Sequence, residues 1–330
     1  MSNLSFDIEC IFDINSELEF NEKALKIFHW QAKNIPVYKE YISSLELKSE
    51  NINKIKEIPF LPIQFFKSRE VMEKGNAPEI TFKSSGTTEM GRSQHFVADL
   101  NLYQQSFTKG FEAAYGDIYN TCIIALLPNY QEQGDSSLIY MIDSLIEQSG
   151  HSKSGFYLNE KNALLDTLSE LKKSNTKTLL IGVTYALLDF IEKQKIDFSN
   201  LTVMETGGMK GRRKEIVREE LHELLSDGFG VSKIHSEYGM TELLSQAYSC
   251  GNGVFNTPAW MKILTREIND PLSLCKENKT GGVNVIDLAN INSCCFISTQ
   301  DLGRVIGNNQ FEIIGRFDNS DTRGCNLMIG

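Results

Sequence analysis

Apolar positions in the first third of the chain recur at helical spacing. Between Asn21 and Lys33, residues Ala24, Leu25, Phe28 and Ala32 fall on one face and predict an amphipathic helix. Ile35-Pro36 ends it, because the residue before a proline is pushed out of the α region. The apolar residues around Pro59 and Pro62 read as extended chain. From Glu79 the pattern becomes strand then helix, repeated. Glu79 to Lys83 predicts a short strand ahead of a polar, glycine-containing loop. Thr121 to Leu127, Lys177 to Gly182 and Leu201 to Glu205 predict strands, the first two buried. Helices are predicted over Ser136 to Gln148, from about Tyr185 to Lys193, and over Arg212 to Leu225, the last ending near Gly228. This alternation predicts an α/β fold with a mainly parallel sheet flanked by helices. After about Gly251 the helical pattern stops. Gly281 to Leu288, Cys294 to Ser298 and Phe311 to Ile314 predict short strands joined by turns. The predicted organisation is an α/β region over 1–250, a smaller β-rich lobe of the same domain over 251–318, and a short tail over 319–330.

Composition narrows the class. Of the 330 residues, 41% are hydrophobic and 23% charged, as in a soluble globular protein. No apolar run is long enough to cross a bilayer. The N-terminal segment carries Asp7, Glu9 and Asp13, without the basic start and apolar core of a secretory signal, so a cytoplasmic protein is expected. A formal net charge of −10 speaks against nucleic acid as the main partner, although a local basic patch could hold a nucleotide. The seven cysteines include no Cys-x-x-Cys pair, so free thiols are expected in place of a disulfide framework or a zinc site.

Four segments carry candidate chemistry. The first is Lys83-Ser84-Ser85-Gly86-Thr87-Thr88-Glu89-Met90-Gly91-Arg92-Ser93. Hydroxyl residues around glycine let backbone N–H groups wrap an anion, and Arg92 adds charge. An ordinary polar turn accounts for it equally well. Gly86 to Ser93 also fits a P-loop with Arg92 in the lysine position. A P-loop must open a helix, however, and Gln94 to Ala98 reads as a strand. The second segment is His235-Ser236-Glu237-Tyr238-Gly239-Met240-Thr241-Glu242. A tyrosine can stack on a purine, a threonine can touch phosphate and a glutamate can hold Mg²⁺. Its plain reading is a helix start capped by Thr241. The third is Ser298 to Arg304 with Asp301, a pure acceptor suited to ribose hydroxyls. The fourth is Gly315-Arg316-Phe317-Asp318. Each of the last two alone would be a turn.

In this order and spacing the four segments resemble the adenylate-forming superfamily of acyl-CoA synthetases, adenylation domains and luciferases. Met204-Glu205-Thr206-Gly207-Gly208 resembles that superfamily's Gly-Gly turn beside adenine. Phe28-His29-Trp30 to Tyr41, Pro59 to Lys67, and Arg323-Gly324-Cys325-Asn326 look most like the LuxE-type acyl-protein synthetases. The resemblance implies that Ser84, Ser85, Gly86, Thr87 and Thr88 hold the ATP triphosphate, with Arg92 as cation. It puts Tyr238 on adenine, with Gly207, Gly208 and Gly239 alongside. Thr241 falls at the α-phosphate, Glu242 on Mg²⁺, Asp301 on ribose with help from Arg316, and Asp318 at a hinge. The implied reaction is ATP-dependent activation of a carboxylic acid, of the fatty-acid class, as an acyl-adenylate. The acyl group then passes to a protein thiol, expected to be Cys325, with an acyl-reductase or carrier protein as partner.

The chain departs from the pattern in several places. Glu89 and Gly91 replace a glycine and a proline, and Gln300 replaces a glycine. Only twelve residues follow Asp318 in this 330-residue chain, where relatives carry a mobile domain with a catalytic lysine. Arg92, Lys210 or a partner would have to compensate. Two alternatives stay open: transfer to coenzyme A or a carrier-protein phosphopantetheine, and a degenerate relative that only binds a nucleotide or a partner.

Overall fold

The computed structural model describes residues 11–85, 91–129, 133–207, 216–307 and 309–317. The chain divides into two compact units, one formed by Met1–Ala77 with Ala259–Gly330, the other by Pro78–Pro258.

The first unit opens on helix α1 (Glu17–Asn34). Ser16 caps it by accepting from the Glu19 N–H, and Glu17 and Glu19 suit the positive end of the helix dipole. Its buried face includes Ala24, Phe28 and Ala32, as the spacing predicts. Pro36 ends α1 and at once starts a helix the sequence reading did not include, α2 (Pro36–Ser44). Its fixed φ and missing N–H suit a first helical position. Strand β1 (Leu61–Pro62) and the single turn α3 (Phe65–Ser68) follow.

The second unit begins with the antiparallel hairpin β2 (Ile80–Lys83) and β3 (Gln94–Val97), then helix α4 (Leu100–Tyr115). A strand and no helix follows Arg92, which removes the P-loop reading. Next come β4 (Cys122–Leu126), α5 (Ser137–Ser149), β5 (Gly155–Phe156), α6 (Lys161–Ser174), β6 (Thr178–Val183) and α7 (Thr184–Ile191). The unit closes with β7 (Leu201–Thr206), α8 (Arg218–Phe229), β8 (His235–Tyr238), β9 (Ala247–Ser249) and β10 (Val254–Asn256). Strands β5, β4, β6, β7 and β8 are parallel in that order, and β9 and β10 continue antiparallel. Every residue of β4 and β6 is buried, which is why they read as unbroken apolar runs.

Arg212 to Glu215 of the helix read from sequence lie outside the described residues. Helix α8 starts at Arg218, where Glu219 and Glu220 suit its N-terminus. It also runs past Gly228 to Phe229, where Gly230 at φ +66° caps it. Gly228 instead marks the close approach of α8 to α7: a Cβ there would lie 2.6 Å from Ile191 Cβ. Helices α4 and α6 were not anticipated. Ser106 and Gly110 on the buried face of α4 blur its apolar period.

The chain then returns to the first unit. Strands β11 (Met261–Arg266), β12 (Gly281–Asp287), β13 (Phe296–Gly307) and β14 (Gln310–Arg316) form an antiparallel meander, with β1 parallel to β13. The expected β-rich lobe is therefore present. It clusters with α1 and α2, whereas the linear division read from sequence put those helices with the residues up to 250. Gln31 is one physical reason. Fully buried, it donates to the carbonyls of Asn290 and Ile291 at 3.0 and 2.9 Å and accepts from the Cys295 N–H at 3.0 Å. Phe28, Tyr38 and Phe60 then pack on Phe296 with ring centroids 5.9–6.2 Å apart. Among the described residues no helix is long and apolar enough to cross a membrane.

Candidate active site

The described ends of the hydroxyl-rich segment lie between β2 and β3 of the hairpin, Ser84 and Ser85 after β2 and Gly91 to Ser93 before β3. Its base is closed by the Ser84 N–H on the Ser93 carbonyl and the Ser93 N–H on Ser84 Oγ, both at 3.0 Å. Arg92 braces it. Its guanidinium donates to Asp135 through Nη1 at 2.7 Å and Nη2 at 3.2 Å, to the Lys83 carbonyl at 3.2 Å and to the Ser84 carbonyl. Arg92 is thus engaged at the base of the loop, and Asp135 is its partner. Ser85 is exposed. Gly91 has φ +83°, a conformation closed to proline, which accounts for glycine where the superfamily has proline. Gly86, Thr87, Thr88 and Glu89 lie outside the described residues.

The second segment occupies the C-terminal ends of the parallel strands, where open α/β sheets place ligands. His235 to Tyr238 form β8, and Gly239 to Glu242 turn away from it into β9 without a helix, so Thr241 caps nothing. Gly207, at φ +76°, leaves the neighbouring β7. Tyr238 is buried with its ring edge on Phe255, centroids 5.9 Å apart. Glu242 is buried and Thr241 partly exposed. A Cβ on Gly239 would overlap Glu237 Oε1, so a side chain there would displace that carboxyl.

One hydrogen bond joins these two segments. His95 of β3 is buried, and its Nδ1 lies 2.9 Å from the Thr241 carbonyl. Burial lowers its pKa to about 4, so the ring is neutral, and the carbonyl partner makes Nδ1 the protonated nitrogen. The sequence reading missed His95. Its signal is a polar ring at the inward phase of a short strand.

Two carboxylates of adjacent strands lie beneath the turn. Glu237 accepts from Thr206 Oγ1 at 2.6 Å, yet enclosure of its carboxyl and the nearby Glu205 charge raise its pKa to about 7. Burial would push Glu205 up too. Hydrogen bonds from His222 and Ser236 and the Arg218 charge outweigh it, and the pKa falls below the usual range. His235 is paired through Nδ1 with the Tyr115 hydroxyl at 3.1 Å, and burial brings its pKa to about 4.

Within the first unit, Asp301 lies not at a turn but inside strand β13, where the register against both neighbouring strands shifts. It is buried and faces Arg316 across the β13–β14 ladder, with Arg316 Nε donating to Oδ1 at 3.0 Å. Most of the Arg316 side chain remains exposed. Arg266, absent from the sequence reading, is buried and donates to the Val283 and Thr299 carbonyls at 2.7 and 2.6 Å and to Asn284 Oδ1 at 2.9 Å. Thr299 in turn accepts from the Asp301 N–H at 3.1 Å. Arg266 therefore holds the strand that presents Asp301. Gly208, Lys210, Asp318, Arg323 and Cys325 lie outside the described residues.

Within the second unit, the Glu242 carboxylate with bare backbone at Gly207 and Gly239 suits a phosphate-bearing ligand. Among the described residues no group of three or more His, Cys, Asp or Glu could cage a metal. A single buried carboxylate fits Mg²⁺ carried on phosphates, which needs one or two protein ligands.

Comparison with known proteins agrees with this architecture. Residues 8–330 match the family model described as acyl-protein synthetase, LuxE. No curated protein matches the chain. Among solved structures, 2-hydroxyisobutyryl-CoA ligase in complex with 2-HIB-AMP and CoA aligns with a TM-score of 0.66 and 9% identity, covering 92% of this chain and 70% of that one. ATP-bound MatB from Rhodopseudomonas palustris aligns at 0.53 and 13% identity over 72% of this chain. A long-chain-fatty-acid-CoA ligase from Archaeoglobus fulgidus aligns at 0.51 and 13% over 75%. The chain spans about half the length of the last two, 47% and 53% respectively. These identities speak for the fold alone, which is that of adenylate-forming ligases. With a family match over nearly its whole length, the chain belongs to the LuxE acyl-protein synthetase family.

Proposed function

We propose that this chain activates a carboxylic acid with ATP and passes the acyl group to a protein thiol. A substrate carboxylate oxygen attacks the α-phosphorus of ATP. The bond from that phosphorus to the bridging oxygen breaks, and pyrophosphate leaves. A thiolate then adds to the carbonyl carbon, and AMP leaves. The hydroxyl-rich segment from Ser84 to Thr88 holds the triphosphate, with Arg92 bracing its C-terminal end. Tyr238 stands at adenine, Thr241 at the α-phosphate, and Asp301 with Arg316 at the ribose. Glu242 would hold Mg²⁺, which when bound would neutralise charge moving onto the leaving group. The fatty-acid class of the substrate, a reductase or carrier protein as partner, and Cys325 as the acceptor thiol belong to this reading through the family.

The observation that carries the reading is the His95–Thr241 hydrogen bond, which ties the hydroxyl-rich hairpin to the Thr-Glu turn at the C-terminal edge of a parallel sheet. Phosphate-binding and catalytic segments must converge in this way for in-line displacement at phosphorus.

The test is acid-dependent pyrophosphate release from ATP-Mg²⁺, with hydroxylamine trapping acyl-adenylate as hydroxamate. Release with one class of acid is expected. Silence with every acid, from protein whose melting temperature still rises with ATP, favours a nucleotide-binding relative. For the second half, radiolabelled acid should leave a thioester on the wild type and none on Cys325→Ser. Full labelling of Cys325→Ser removes Cys325 as acceptor, and release stimulated by coenzyme A redirects the transfer step.

A further inference from the structure

Buried polar groups on one face of the β8–β9 ladder lack partners. Glu237 pairs directly with Tyr248 in this antiparallel register, so their side chains share a face. Gln246 belongs to the same face. A Cβ on Gly239 would lie 3.3 Å from Gln246 Cγ and would overlap the Glu237 carboxyl. Gln246 is 6% exposed and Tyr248 4% exposed. Even so, Gln246 Oε1 and the Tyr248 hydroxyl have no hydrogen-bond partner. Nearby hydroxyls are already committed, that of Tyr103 to the Ser137 carbonyl and that of Tyr115 to His235.

Buried polar atoms in folded proteins are nearly always hydrogen-bonded, and two orphans on one face beside a carboxyl call for a ligand group. They border Gly239, in the turn that the adenylation reading puts at the nucleotide. An unsubstituted hydrocarbon chain laid against them would leave both orphaned atoms unpaired and the Glu237 carboxyl desolvated. We infer that the acid activated by this chain carries a hydrogen-bond-donating hydroxyl or amino group, received by Glu237, Gln246 and Tyr248. The inference rests on the adenylation reading and narrows its substrate from plain fatty acids to donor-substituted ones.

The test uses acids matched in chain length, one unsubstituted and the others carrying a hydroxyl or an amino group at successive positions. Binding is read as the shift in melting temperature of the full chain, and turnover as pyrophosphate release. The donor-bearing member should shift the melting temperature more and give kcat/KM about 100-fold or more above its partner, because a site built for a donor rejects the analogue without one. The hydroxy and amino series separate the two donors. Tyr248→Phe and Gln246→Met keep shape and remove an orphaned atom. Each should cut that preference by about tenfold or more. Without acid, Tyr248→Phe should melt no lower than wild type. Equal response to both members, preference for the unsubstituted acid, an unchanged preference in the variants, or no shift with any acid overturns the inference. Release with unsubstituted acids alone overturns it and upholds adenylation. Selective binding of donor-bearing acids without release upholds the subsite and overturns adenylation.

Discussion

Glu205 and Glu237 are carboxylates on adjacent strands, and their surroundings separate them. Glu205 has hydrogen bonds from His222 and Ser236 and the Arg218 charge nearby, so it ionises easily despite burial. Glu237 has one hydroxyl partner and holds its proton to about pH 7. The unfolded glutamate releases that proton near pH 4.5, so folding takes up a proton between those values. Wild-type stability is therefore lost as pH rises from about 4.5 to 7 at this site, by at most about 3 kcal/mol. Glu237→Gln has no such titration. Its stability relative to wild type should rise with pH across that window, measured as urea midpoints at several pH values. A flat difference would show that the carboxyl is not enclosed in solution. His95 has the opposite sign. Its folded pKa is lowered to about 4, so its contribution is lost as pH falls from 6.5 towards 4.

At the scale of elements, the parallel strands and their helices place the glycine turns. Close packing of α7 on α8 depends on Gly228. In an exposed helix Gly→Ala stabilises by about 1 kcal/mol. Here the new methyl meets the branched body of Ile191, and overpacking should reverse the sign. Gly228→Ala is expected to destabilise by about 1–3 kcal/mol. Chemical denaturation should show the loss largely restored when Ile191 is also changed to Ala. Unaltered stability in the single variant would mean that α7 and α8 pack less closely than described. The same element-scale logic explains Asp301. It sits mid-strand because the long strand β13 pairs with β14 and sets Arg316 opposite it.

For the molecule as a whole, the chain folds back on itself across its length. Gln31 of α1 satisfies carbonyls and an N–H some 260 residues later. Gln31→Leu conserves volume approximately but removes the donor of the buried Ile291 carbonyl and the acceptor of the buried Cys295 N–H. It should cost about 3 kcal/mol, seen as a lower urea midpoint with unchanged slope. A change within about 0.5 kcal/mol would show that the groups find other partners. Because the N-terminal segment and the C-terminal strands form one unit, deleting either should expose the other's apolar face.

Local order is written in the pattern of residues. Buried strands announced themselves as apolar runs at Cys122–Leu126 and Thr178–Val183, because burial on both faces tolerates little else. The Ser84–Arg92, Tyr238–Glu242 and Asp301 segments stood out because, in the proposed roles, phosphate, purine and ribose restrict which residues can serve them. Partnership, by contrast, arises only in the folded chain. Arg92 adds charge to its segment, and its partner is Asp135, 43 residues away. His95 and Arg266 carried no motif, since their roles come from burial against Thr241 and against the strand bearing Asp301. The union of the N-terminal helices with the last strands was equally hidden. Period and motif are properties of neighbours in sequence, whereas desolvation and hydrogen-bond satisfaction belong to neighbours in space.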